Sequence, residues 1–140
     1  MSAPLRTNAL VETVDIYPTL IDIAELDQPH KLEGVSLVPL ISEPNRVWKE
    51  AVFAQYPRYV KKQLLMGETV RTDDYRYTAW VANDGEVRAE ELYDHKIDPI
   101  ESVNIASDSD YVIQLERHKR LRSEGWGRVH NSLKQSTSAK

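Results

Sequence analysis

The chain has 140 residues, a hydrophobic fraction of 41%, a charged fraction of 29% and a formal net charge of −4. That length suits one domain, and the negative balance offers no field for nucleic acid. No apolar run approaches the ~20 residues that cross a bilayer, and the lack of cysteine excludes disulfides, thiolate zinc sites and a cysteine nucleophile.

Residues 1–10 read as a loose lead-in with no secretory signal pattern. A helix is predicted from about Asp15 to Glu25, because Asp15 is a good N-cap and Pro18 falls in the first turn. Ile16, Leu20 and Ile23 recur at helical spacing and give it an apolar face. Pro29 disfavours helical geometry at Gln28, so the helix is expected to stop near there. Residues 32–41 form a mostly apolar loop that must pack on something, and residues 42–46 a polar break.

Four strands follow: Ala51 to Tyr56, about Leu65 to Thr72, Tyr75 to Val81, and about Ala89 to Tyr93. Asp73-Asp74 suits a tight turn between the second and third, and Asn83-Asp84-Gly85 a turn after the third. On the third strand Tyr75, Tyr77, Ala79 and Val81 share one face, and Arg76, Thr78 and Trp80 the other. Ser107 or Asp108 can cap a last helix running to about Ser123, with Gly125 as its stop. Arg117-His118-Lys119-Arg120 reads as a solvated last-turn face, and Asn131–Lys140 as a polar, disordered end. The fold class is therefore α+β: a small antiparallel sheet of about four strands, an N-terminal helix and a packed C-terminal helix.

Little of this carries chemistry by itself. Ser2-Ala3-Pro4-Leu5-Arg6 fits the Cys/Ser-x-Pro-x-Arg pattern of formylglycine sites, but a nucleophile also needs a carboxylate-bound cation and a rigid seat, so it reads as a chance match. Asp94, Asp98 and Glu101 lack the dense spacing of a calcium loop and suit capping and loop hydrogen bonds instead. His30, His95, His118 and His130 show no ligand spacing. No catalytic residue and no metal ligand is assigned. Arg58 and Arg71 lie at or just past strand ends, where a guanidinium can fork to a carboxylate or sulfate, or form a structural ion pair.

The order of these pieces resembles the sulfatase family of the alkaline phosphatase-like superfamily. Val11–Leu20 resembles the stretch before the helix that ends its large catalytic domain, and Gly34-Val35-Ser36-Leu37 with Pro39-Leu40-Ile41 the loop that comes next. Phe53–Arg58, Met66-Gly67, Val70-Arg71-Thr72 and Tyr75-Arg76-Tyr77-Thr78 are similar to the iduronate-2-sulfatase-like branch; Glu91–Asp94, Asp98-Pro99 and Asn104-Ile105-Ala106 resemble the ending shared by many sulfatases. The match covers about Asn8 to Gly127.

The resemblance implies the C-terminal portion of a sulfuric ester hydrolase of glycosaminoglycan type. Residues 1–45 would end the catalytic-domain region, 46–127 form the C-terminal subdomain, and 128–140 a disordered tail. The expected partner is a missing N-terminal catalytic domain, with a sulfated carbohydrate as substrate. No cofactor is expected in this chain, whereas calcium and formylglycine belong to the full-length family enzyme. Such enzymes are usually exported or lysosomal, which leaves this chain's location open. Gln55, Arg58, Arg71 and Thr72 are the candidates for the substrate cleft. Two other readings are a stand-alone binding module for sulfated or acidic sugars, acting through Arg58 and Arg71, and an orphan remnant only partly folded alone.

Overall fold

The computed structural model describes residues 6–28 and 30–137, with side chains through Gly125. The chain divides into two compact units, one of residues 1–50 with 127–140 and one of residues 51–126.

The second unit is built on an antiparallel sheet in the order β1-β2-β3-β4, with β1 Val52–Val60, β2 Gln63–Arg71, β3 Tyr75–Ala82 and β4 Val87–Asp94. β1 and β3 are rich in β-branched and aromatic residues, and consecutive strands simply fold back on one another. β1 runs four residues past its expected end. Its hairpin turns on Lys61-Lys62, with φ of 47° and 69°, and Val60 pairs with Gln63. Left-handed geometry at both turn positions is what a two-residue hairpin needs, but lysine does not advertise it as Asn-Gly would. Pro57 sits inside β1 because this is an edge strand, where a missing N–H need not break a ladder. The Asp73-Asp74 turn is closed by the Thr72 N–H donating to the Tyr75 carbonyl at 2.9 Å, and Gly85 takes φ 84° in the next turn.

One face of the sheet carries the core. Tyr77, Ala79 and Leu92 pack with Leu115, and Tyr75, Val81, Ile105, Ala106 and Tyr111 close around them. Leu115 comes from α3, Val112–Thr137, which is entered through a short 3-10 turn whose Asp108 side chain accepts the Asp110 N–H at 3.0 Å. Val112 and Ile113 point to solvent, and the buried row of α3 is Leu115, His118 and Leu121, at i, i+3 and i+6. The solvated face expected at residues 117–120 is thus corrected at His118, which is fully buried. Gly125 interrupts α3 at φ 65° and ψ −172°, the expected stop. Helical backbone then resumes to Thr137. Polar residues such as Gln, Lys and Arg propagate a helix readily, so polarity alone does not imply a disordered end.

The first unit holds a 3-10 turn, Thr13–Asp15, followed by α1, Ile16–Ile23, and α2, Val38–Ser42. Asp15 does not cap α1. Its carboxylate reaches back to the Glu12 N–H at 2.9 Å and forward to the Val35 N–H at 2.9 Å, and it takes the Lys49 ammonium at 2.6 and 2.8 Å. Glu12 adds a third oxygen to Lys49 at 2.7 Å. A Cβ on Gly34 would stand 2.0 Å from the Val14 carbonyl oxygen, so only glycine lets the loop pass there. α1 ends earlier than expected, at Ile23, with Glu25 at φ 53°. Its buried residues are Pro18 and Ile21, whereas Ile16, Leu20 and Ile23 are 53%, 59% and 60% exposed.

Candidate functional site

Side chains alternate across the sheet, so register decides which residues can act together. Arg58 pairs with Leu65, and Arg71 pairs with Val52 and Arg76. Both arginines lie on the sheet face opposite Tyr77. Six residues of β1 separate their positions, roughly 20 Å of strand. Gln55 and Thr72 lie on the other face, the one that packs against α3. The four candidates therefore do not converge on one point.

At the Arg58 end, Tyr56, Gly67 and Trp80 stand in register across three strands. A Cβ on Gly67 would be 2.9 Å from the Trp80 ring, so glycine is required for the indole to lie there. The Trp80 N–H donates to Glu91 at 2.9 Å, which fixes the ring. The Arg58 guanidinium lies over that ring, 5.3 Å from its centroid. Among the described residues no carboxylate pairs with Arg58, which is exposed, and Tyr56 beside it is 67% exposed. At the other end Arg71, also without a carboxylate partner among the described residues, neighbours Arg76. Arg76 is held by Glu101 and stacks on Tyr93, 5.3 Å from the ring centroid. Between the two ends the Thr69 and Thr78 hydroxyls bond to each other at 2.9 Å.

On the helix side Thr72 is a structural residue. Its hydroxyl oxygen accepts the Tyr75 N–H at 3.3 Å and meets His118 Nε2 at 3.1 Å. His118 Nδ1 lies 2.7 Å from the Gln114 carbonyl oxygen, which can only accept, so Nδ1 carries the proton. The i+3 spacing of His118 from Leu115 and Leu121 was the signal that marked it as buried. Tyr77 donates to Glu90 at 2.6 Å, and burial together with that carboxylate pushes its phenol far above the ordinary range. For Lys119, the burial that pulls its ammonium down is outweighed by Glu90 and Glu116, and the net shift is upward.

Gln55 lines a cleft of about 240 Å³ with Phe53, Ala54, Glu68, Thr69, Arg122 and Gly125. Within it Arg122 donates to Glu68 at 2.6 Å. The carboxylates near the end of β4 are all spent. Asp94 accepts the Lys96 N–H at 2.9 Å, and Glu101 takes Arg76 and His95. Asp98 accepts the Val103 N–H and the Ser102 hydroxyl, and the former above all holds its carboxyl below the usual range. Among the described residues no group of three or more His, Cys, Asp or Glu is placed to hold a metal ion. No described helix is long and apolar enough to cross a membrane. Of the Ser-x-Pro-x-Arg pattern, Ser2 to Leu5 lie outside the described residues, as does the His130 side chain.

Residues 2–125 match the family described as N-sulphoglucosamine sulphohydrolase, C-terminal. A Δ4,5-hexuronate-2-O-sulfatase of Bacteroides thetaiotaomicron is 34% identical over 110 residues, which are 78% of this chain and 22% of that protein. Iduronate 2-sulfatase of Mus musculus is 32% identical, over 79% of this chain and 27% of its own length. The solved structure of a protein in complex with its substrate D-glucosamine-2-N,6-O-disulfate superposes with a TM-score of 0.68 at 26% identity, covering 84% of this chain and 24% of that one. The chain thus spans about a quarter or less of the relatives it matches. The four-stranded sheet, the closing helix and the ordered sequence pieces agree with these matches along most of the chain, and the chain belongs to the sulfatase family as a C-terminal sulfatase domain.

Proposed function

We propose that this chain is the C-terminal domain of an iduronate-2-sulfatase-like sulfuric ester hydrolase that acts on sulfated glycosaminoglycan sugars, and that it does not hydrolyse sulfate esters alone. In this reading the nucleophile and the calcium site belong to a catalytic domain corresponding to the remainder of its relatives. The observation that carries the reading is the outward apolar row of α1. Ile16, Leu20 and Ile23 are each more than half exposed, although their helical spacing is that of a packed face. A row of that kind marks a docking surface. The matches to 2-O-sulfatases support the substrate class.

The chain's share of the work would be to wall the substrate cleft. Arg58, held on Trp80 with its fork unpaired among the described residues, suits a sulfate or carboxylate. The same guanidinium is what favours the second reading, a stand-alone module for sulfated or acidic sugars. Sulfate release by the purified chain, with calcium and a 2-O-sulfated unsaturated uronate disaccharide, tests the first reading. No release above blank is expected; sustained turnover would show that the chain is catalytic by itself. Saturable, salt-sensitive binding of the disaccharide to the isolated chain, lost in Arg58→Ala, would favour the second reading.

A further inference from the structure

Resting on the proposed action on sulfated glycosaminoglycans for its choice of partner, we propose that the outer end of the β1–β2 hairpin is a binding surface for a linear polysulfated glycan. It holds the protein on the polymer and takes no part in hydrolysis.

Positive charge is concentrated there. No aspartate or glutamate occurs from Ala51 to Gly67, while Arg58, Lys61 and Lys62 fall close together in a chain whose formal net charge is −4. None of the three has a carboxylate partner among the described residues, and Arg58 rests only on the Trp80 ring. The carboxylates of the β3–β4 turn, at the same end of the sheet, are already occupied, because Arg88 takes both Asp84 and Glu86.

The hairpin also projects. Pairing of β2 with β3 stops at Leu65, opposite Ala82, whereas β1 and β2 continue to Val60 and Gln63. Every residue from Ala54 to Gln63 is exposed. Tyr59 is 76% exposed on the helix side of the sheet and Tyr56 67% on the other, so ring surface flanks the cations on both faces. The turn itself runs against local preference. Lys61 and Lys62 take φ of 47° and 69°, a geometry unfavourable to any side chain with a Cβ and readily adopted by Asn-Gly. Lysine serves the turn poorly, and what it adds is charge at the point of furthest reach.

These features select the partner. Protein interfaces are poor in lysine, and the exposed stretch lacks the Trp, Phe or Leu with which a segment enters a membrane surface. Sulfates spaced along a glycan suit separate cations, the ammonium groups as point charges and the guanidinium as a fork. The C–H faces of the sugars suit the tyrosine rings. Arg58 and the turn lie about 10 Å apart along the strand, so several sulfates of one chain can be engaged together.

The test is calorimetric titration of the full chain with a heparin decasaccharide, with its desulfated counterpart and with phosphatidylserine vesicles. Saturable binding of the sulfated chain alone is expected, with micromolar affinity that falls as salt rises. Lys61→Asn combined with Lys62→Gly should weaken it about tenfold, while the melting temperature holds or rises because Asn-Gly suits the turn. Arg58→Ala should also weaken binding, without touching the turn. Lys96→Asn removes an exposed cation at the opposite end of the sheet and should leave the affinity unchanged. No binding of the sulfated chain, equal binding of the desulfated one, or tighter binding to the vesicles would each overturn the surface. So would unaltered affinity in the double variant, or a loss in Lys96→Asn equal to that in Arg58→Ala, which would show bulk charge at work. None of these outcomes bears on the sulfatase-domain reading, which is judged by sulfate release.

Discussion

In residues 51–126 the large apolar side chains Tyr77, Leu92 and Leu115 are buried, and the ion pairs Arg122–Glu68 and Lys119–Glu90 stand part-exposed around them. In the segment before Ala51 the order is reversed. There Asp15 and the Lys49 ammonium have no exposed side-chain surface, while Ile16, Leu20 and Ile23 lie in solvent. A sheet closed by a helix can bury its own apolar face. A short helix beside loops cannot, so its local structure rests on a desolvated ion cluster, and its apolar row stays exposed. The two units therefore call for different kinds of perturbation.

The largest effect is expected from Lys49→Ala. It leaves the Asp15 carboxylate buried without its cation and should cost about 3–5 kcal/mol, read as loss of α1 protection in hydrogen exchange. Lys49→Met combined with Asp15→Asn should be milder than the single change, because one of the two carboxylates that Lys49 holds loses its charge with it, Glu12 being the other. Leu92→Ala, in the other unit, should cost about 2–5 kcal/mol through cavity formation and lower the melting temperature of the sheet. If both substitutions melted the whole chain in one step, the two units would be one cooperative body.

Next comes His118→Phe, which keeps the bulk but removes both ring hydrogen bonds. Leaving Thr72 and the Gln114 carbonyl short of a partner should cost about 1–3 kcal/mol by denaturant titration. Tyr77 gives a pH test. Its phenol is raised in the folded state by burial and by Glu90, so the stability it contributes is fully present below the unfolded value near 10 and is lost as pH rises beyond it. Tyr77 should ionise last among the tyrosines in an alkaline absorbance titration, and Tyr77→Phe should flatten the loss of stability above that pH. The smallest effect is expected from Leu20→Asp. On a face already in solvent it should change the stability of the chain by no more than about 0.5 kcal/mol, whereas a buried face would give a loss several times larger.

Sequence patterns were sufficient for the sheet and its strand faces, since Tyr75, Tyr77, Ala79 and Val81 alternate cleanly and each turn except one carries Asp, Asn or Gly. The Lys61-Lys62 turn was illegible because its left-handed geometry is imposed by the strands it joins, not by its residues. Asp15 looked like a cap because local chemistry could not foresee Lys49, which lies 34 positions away. His118 was mistaken for a solvated residue because its neighbours Arg117, Lys119 and Arg120 are charged, although its spacing from Leu115 and Leu121 placed it in the core. For the site, residue type singled out Arg58 and the family resemblance Gln55; they fall on opposite faces because β1 continues through Arg58, past the end expected at Tyr56. The cleft itself needed Glu68 and Arg122, which are 54 positions apart and carry no joint signal in sequence.

The central claim is that this chain completes a sulfatase through the outward face of α1. The direct measurement replaces the matching C-terminal region of the Bacteroides 2-O-sulfatase with this chain and follows sulfate release from a 2-O-sulfated uronate. Release is expected from the hybrid and not from the chain alone, and Leu20→Asp in the hybrid should abolish it while leaving the isolated chain as stable as before. A folded hybrid that releases no sulfate, or full activity with Asp at position 20, would contradict the account.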